Sequence, residues 1–371
     1  MRIPILSILL MILLPMNSWA EDHKPRWIYK TWRPFLAGWS SASNPLVDDE
    51  KVYACIGYGW SKNRVNVVAL NKATGQVVWK NEIAYPCTSF VQSGEYIVAA
   101  NKNYTIDKEK AKTGPAAGII WHRHIFIIDK SSGQTIDKIE NAEMPATTRN
   151  WLYFSQNNSL VRYDLANHKT LLSFEGEVNY TTTSRDSIVW GSQNAIKEIN
   201  DDSADAKIVI QYPDKPLISN DSKDFICSYN VTSGETRSTN RLVCANRQTR
   251  NVVFEEKNIS SASYTMLNNT LYYWQGGSSK YTYRVDLNNP QKEPLPFPMI
   301  SSFIWNINDS LLLSADAHDI NVIDPKSEKV MWKYFMQGWI KGASSDVQHI
   351  YIADDSGKLS TFPIKNFKDI N

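Results

Sequence analysis

The chain has 371 residues, of which 21% are charged and 12% aromatic, and a formal net charge of +2. So balanced a charge leaves no electrostatic footprint for nucleic acid or an anionic membrane surface, and neither is expected as a partner. The length exceeds one ordinary domain and calls for several domains or one large repeat architecture.

Residues 1–20 read as a secretory signal. Arg2 supplies the positive start, Ile3 to Met16 the apolar run, and Ser18-Trp19-Ala20 a small-x-small ending before Glu21-Asp22. The apolar core is short for a bilayer span, so cleavage near Ala20-Glu21 is expected rather than a retained membrane anchor. No cysteine lies near the cut, so no lipid anchor is expected. No later stretch has the length and apolarity of a transmembrane segment. Residues 21–371 are then expected to form a single exported domain, periplasmic or secreted. Triplets such as Asn103-Tyr104-Thr105 and Asn230-Val231-Thr232 fit the glycosylation pattern, but an Asn- and Ser-rich chain produces them by chance, and the source reads as bacterial.

Trp27 to Trp32 reads as a strand, and Lys51 to Cys55 as another. Val67 to Lys80 is then the clearest copy of a strand–turn–strand unit, turning through Asn71-Lys72-Ala73-Thr74-Gly75 and followed by Trp79. β-Branched and aromatic residues favour both strands. Asn or Asp at the first turn position can accept from the backbone two residues on, and Gly supplies the positive φ. Trp79 is expected to pack its face against a neighbouring sheet.

Residues 101–118, rich in Lys and ending near Gly114-Pro115, read as an inserted loop. It is either a functional projection or a solvated excursion. In Trp121-His122-Arg123-His124 the two histidines share one face of a strand, which makes two metal ligands geometrically feasible. No third ligand is visible nearby, and the competing reading is a polar blade strand. Trp121, His122 and His124 are the candidate interface.

Ile125 to Ile136 is a second copy of the unit, turning at Asp129, and Ile320 to Lys333 a third, turning at Asp324 and followed by Trp332. Weaker copies turn near Asp164, Asn200, Asn246 and Asp286, with strands such as Trp151 to Phe154 and Leu271 to Trp274 upstream. A spacing of about forty residues with four short strands per unit is the signature of propeller blades, and no helical periodicity competes. Seven turns give seven blades. Val347 to Ala353 and Lys358 to Phe362 contribute to an eighth, whose fourth strand Trp27 to Trp32 could supply. An all-β propeller of eight four-stranded blades is therefore expected, its ring closed by the N-terminal strand, with seven blades as the alternative.

The four cysteines Cys55, Cys87, Cys227 and Cys244 are even in number in a chain read as exported, so disulfides are expected. Three pairings exist. Cys227 and Cys244 lie symmetrically about Gly234-Glu235, where a hairpin could turn, which favours Cys227–Cys244 and leaves Cys55–Cys87. Metal ligation is the poorer alternative, because no pair has close ligand spacing.

The stretch from Asn71 through Thr74-Gly75 to Trp79 resembles the PQQ-type propeller repeat, and the resemblance extends with weaker copies over residues 27–365. It implies blades docked by tryptophan and does not by itself imply a bound cofactor. One branch of that superfamily, the quinoprotein dehydrogenases, holds pyrroloquinoline quinone (PQQ) and Ca²⁺ on the propeller axis. Many of its members place adjacent cysteines against the quinone, and no two cysteines here are adjacent. The other branch is similar in length, the non-catalytic BamB-type propellers, which carry a lipidated cysteine that this chain lacks.

Asp316-Ala317-His318-Asp319 and Asp354-Asp355-Ser356-Gly357 read as hairpin turns rather than a catalytic or Ca²⁺ constellation. Trp39, Trp60, Trp121, Trp305 and Trp339 are left over from blade packing as candidate anchors for a partner. The expectation is a non-catalytic scaffold or adaptor that binds a protein partner in the cell envelope, with no cofactor. The alternatives are a quinoprotein-type enzyme holding PQQ and Ca²⁺, and a periplasmic inhibitor or immunity-type protein.

Overall fold

The computed structural model describes residues 24–364 except 32–39, 59–64, 84–86, 185–186, 212–214, 233–238, 260–263, 276–281, 296–302, 309 and 317. The signal sequence, Trp39, Trp60 and the turn at Gly234-Glu235 lie outside the described residues. The described chain is an eight-bladed, all-β propeller of antiparallel sheets, seven with four strands and one with five. Blade 1 runs Ser40–Ala42, Lys51–Tyr58, Val65–Asn71 and Val77–Glu82, with the short Leu46–Val47 paired beside its second strand. Blade 2 runs Cys87–Ser93, Tyr96–Ile106, Ile119–Asp129 and Thr135–Glu140. Five further blades lead to the last, Ile340–Ser345, His349–Asp354 and Lys358–Pro363, whose fourth strand is the N-terminal Trp27–Lys30. The eight-blade reading holds and the seven-blade alternative is set aside. First strands of neighbouring blades touch from blade 2 to blade 7 and from blade 8 to blade 1, and so lie on the inside of the ring.

Burial follows from this stacking. Middle strands are covered on both faces by adjacent blades, so Val65 to Leu70 are all buried, whereas the outer strand Val77–Glu82 buries Trp79 and leaves Val77 and Val78 exposed. The apolar core is divided among the gaps between blades. Tyr53, Val67 and Ala69 meet Phe90, Ile97 and Ala99 between blades 1 and 2.

The repeated turn explains the docking. Asn71 Oδ1 accepts from the amides of Ala73 and Thr74, and Asp129, Asp164, Asn246 and Asp324 make the same pair of bonds in their blades. Four residues on, the chain enters the left-handed region at Gly75 and Gly133, and equally at His168, Arg250 and Glu328. The copies at Asp164, Asn246 and Asp324 keep the turn without the glycine. Glycine is needed where a ring lies on the turn: an added Cβ at Gly133 would come within 2.5 Å of the Trp79 ring, and at Gly75 within 2.6 Å of Trp27. Trp79 Nε1 donates to Lys130 O at 2.9 Å, and Trp27 Nε1 to Lys72 O at 3.0 Å. Each tryptophan thus joins its blade to the next one's turn.

Trp332 is also buried, stacked parallel to Tyr334 and edge-on to Phe362 of blade 8 at 5.1 Å between centroids. The Cys55–Cys87 disulfide ties blade 1 to the first strand of blade 2. Cys227–Cys244 joins directly opposed positions within blade 5, with Cα atoms 4.0 Å apart.

Residues 101–118, read as a loop, are mostly regular structure. The second strand of blade 2 continues to Ile106 and the third begins at Ile119, with a short helix Lys108–Ala111 and a 3-10 turn Pro115–Gly118 between them. The polar start Asn101-Lys102-Asn103 hides the continuation of the strand, whose last three residues are exposed. No helix among the described residues is long and apolar enough to cross a membrane.

Candidate functional site

In every blade the end at which the second strand stops and the third begins lies on one face of the ring, here the upper face. The turns between first and second and between third and fourth strands lie on the other. Blade 2 differs on the upper side. Its third strand pairs with the outer strand only as far as His124–Glu140, and its second strand pairs with the inner one only as far as Asn101–Cys87. Beyond these, Lys102–Ile106 and Ile119–Arg123 pair, among the described residues, only with each other, Tyr104 opposite Trp121 and Ile106 opposite Ile119. The result is a two-stranded ribbon that outreaches its sheet by five residues per strand, about 17 Å.

Lys102, Tyr104, Ile106, Ile119, Trp121 and Arg123 share one side of this ribbon because side chains alternate along a strand. Tyr104 and Trp121 pack edge-on at 5.5 Å, and Lys102 Nζ lies 4.4 Å over the Trp121 ring. These contacts hold the aromatics in place while leaving them open: Trp121 is 47% exposed and Tyr104 42%. Arg123 anchors the base through a 2.9 Å ion pair with Glu143 of blade 3.

The two histidines project from the other side. His122 is held by Thr105 Oγ1 at 2.9 Å, and His124 sits against Phe126. Burial, then Lys138 and His122, hold His124 below the usual imidazole range against the opposing pull of Glu140. The candidate trio is therefore split: Trp121 belongs to the aromatic side and His122 and His124 to the polar side. Among the described residues no group of three His, Cys, Asp or Glu side chains is placed to hold a metal ion.

A second aromatic patch lies on the same face at blades 7 and 8. Phe335, 65% exposed, ends the outer strand of blade 7, and Trp339, 46% exposed, precedes the first strand of blade 8. His318, in the turn between Asp316 and Asp319, stands between them, with ring centroids 5.7 Å from Phe335 and 6.2 Å from Trp339. Tyr104, Trp121, Phe335 and Trp339 are the exposed aromatics among the described residues, and all four are on the upper face. Sequence reading named Trp121 and Trp339 but missed Tyr104 and Phe335. The available signal was the alternation Lys102, Tyr104, Ile106 running into the supposed loop.

The lower face carries no exposed aromatic among the described residues. Two adjoining cavities of about 480 and 560 Å³ share Ser222 and Lys223 and are lined otherwise by residues such as Arg149, Asn200, Asn268 and Asn308. In the first, Glu198 accepts from Arg247 and from Ser187, each at 2.6 Å, which bridges blades 4 and 5.

No protein-family model and no curated protein sequence matches the chain. Among solved structures it is similar to the computationally designed protein Ika8, with a TM-score of 0.63 and 11% identity over 89% of this chain and 98% of that one. It is also similar to BamB from Moraxella catarrhalis, with a TM-score of 0.60 and 10% identity over 89% of this chain and 100% of that one. At these identities the likeness is one of fold.

Proposed function

We propose that this protein is a non-catalytic, exported scaffold that holds a protein partner in the cell envelope with the upper face of its propeller, without a bound cofactor. The observation that carries this reading is the segregation of exposed aromatics. Tyr104, Trp121, Phe335 and Trp339 share one face, while the opposite face carries no exposed aromatic among the described residues. Rigid aromatic rings with few torsions are the side chains that anchor protein interfaces. Two disulfides, one between blades, suit an oxidising compartment and stiffen the platform. The resemblance in fold to BamB supports a propeller that works without catalysis, in keeping with the repeat resemblance.

The test is crosslinked capture from the protein's own cell envelope, comparing the intact chain with Trp121→Glu and Trp339→Glu. Specific enrichment lost in either variant supports the reading. Capture that neither variant changes, or none above a denatured bait, removes the upper face from it.

A further inference from the structure

The ribbon's backbone carries information beyond its aromatic side chains. In an antiparallel pair, opposed residues alternately exchange two hydrogen bonds or none. Lys130 N donates to Glu95 O at the lower end of this hairpin and Asp107 N to Gly118 O at the upper end, and the register between them is unbroken. The bonded pairs are therefore the odd-numbered residues of the second strand with their partners, including Asn103 with His122 and Thr105 with Ile120. The backbone groups of Lys102, Tyr104, Ile106, Ile119, Trp121 and Arg123 point outward, along the edges.

Where the outer strand Thr135–Glu140 is present, it takes up the equivalent groups of the third strand. Past His124 no described strand does so. Open edges are what folded proteins normally cover, shorten or charge. This one is left open for five residues on the rim side, and the residues whose amides face outward are those that form the aromatic side.

We propose that the Ile119–Arg123 edge takes up an extended, acidic segment of the partner polypeptide as an added antiparallel strand, continuing the line of the outer strand of blade 2. Ladder bonds from Ile119, Trp121 and Arg123 would supply affinity, and side chains of the added strand would lie across Trp121 and Tyr104. The charge points to an acidic segment, because residues 101–124 hold five basic side chains against two acidic ones, an excess that remains once Glu143 is set against Arg123. A lipid surface fits less well. The tip of the ribbon is the charged Asp107-Lys108-Glu109-Lys110, whereas a hairpin that enters a bilayer presents apolar residues there.

This inference rests on the upper-face reading, and its test separates the two. Amide exchange of the full chain is followed alone and with the peptide acetyl-Glu-Val-Thr-Val-Thr-Val-Glu-amide, and with the same peptide N-methylated at alternate residues. Strand addition slows exchange at Ile119, Trp121 and Arg123 by about tenfold or more, with the N-methylated peptide inert. Ile119→Pro, which removes one outward donor at the start of the strand, weakens binding where Ile119→Thr does not. Equal binding of both peptides, unchanged exchange at the three amides, or attachment to phosphatidylglycerol vesicles in place of the peptide overturns it. If a captured partner depends on Trp121 yet leaves these amides exchanging freely, strand addition falls and the protein-binding reading stands.

Discussion

At the seam between blades 8 and 1, Trp27–Lys30 pairs residue for residue with Lys358 to Thr361, and Trp27 is only 9% exposed. In the ribbon of blade 2, the Ile119–Arg123 strand has no described neighbour on its outer edge, and Trp121 is 47% exposed. Both tryptophans stand on extended strands. The difference lies in what comes beneath the ring. Trp27 meets the next blade's turn, with Lys72 O to receive its N–H and Gly75 to make room. Trp121 stands above the sheet, steadied by Tyr104 and Lys102. Closure of the ring consumes an aromatic wherever a neighbouring turn is in reach, and an aromatic beyond that reach is left for a partner.

The largest test of this contrast is truncation. Trp27→Ala, Trp79→Ala and Trp332→Ala should each destabilise by about 3–5 kcal/mol in urea melts, through lost burial and the cavity left behind. A shift well under 1 kcal/mol at any of them would make that ring a surface feature. Opening the Cys55–Cys87 bridge, which spans 32 residues, should cost about 3–4 kcal/mol by chain entropy, read as the urea midpoint of the Cys55→Ala/Cys87→Ala protein.

Gly133→Ala should cost about 2–4 kcal/mol, from a left-handed backbone and a Cβ driven into Trp79. A neutral result there would mean that the docked ring can shift at no cost.

A smaller effect is expected of pH at the seam. Burial, with Arg26 and Lys72, holds His349 below the ordinary imidazole range, while Asp346 pulls the other way. Arg26 Nη1 lies 3.1 Å from its Nε2. The unfolded chain therefore binds this proton first, so the contribution is fully present above the ordinary histidine pKa and is lost as pH falls toward the lower folded value. Urea melts at pH 7.5 and 5 should show that loss, reduced in His349→Gln. The smallest effect belongs to the ribbon: Trp121→Ala should change stability by less than about 0.5 kcal/mol. A larger loss would place the ring in the fold's own packing.

The propeller was legible because its turn recurs: Asn71, Asp129 and Asp324 with their following residues fix both the period and the docking tryptophan. The eighth blade could be read from three strands at one end and an orphan strand at the other. The disulfide at Cys227 and Cys244 followed from symmetry about a turn. The ribbon was harder to see. Lys102 and Asn103 have low strand propensity, and the apolar alternation that marks Tyr104 and Ile106 begins only after them. The placing of Trp121 with Phe335 and Trp339 on one face had no local signal, because their segments are far apart in sequence and only the direction of the strands in the closed ring sets their ends on the same face. The lower cavities likewise draw their lining from several turns far apart in sequence.

The most direct test of the upper face as a binding surface is crosslinked capture from the cell envelope with the intact protein and with Trp121→Glu, whose folding is checked by its urea midpoint. One set of partner proteins enriched with the intact chain and lost with the folded variant is the expected result. Equal capture by both would contradict it and move the search to the lower face.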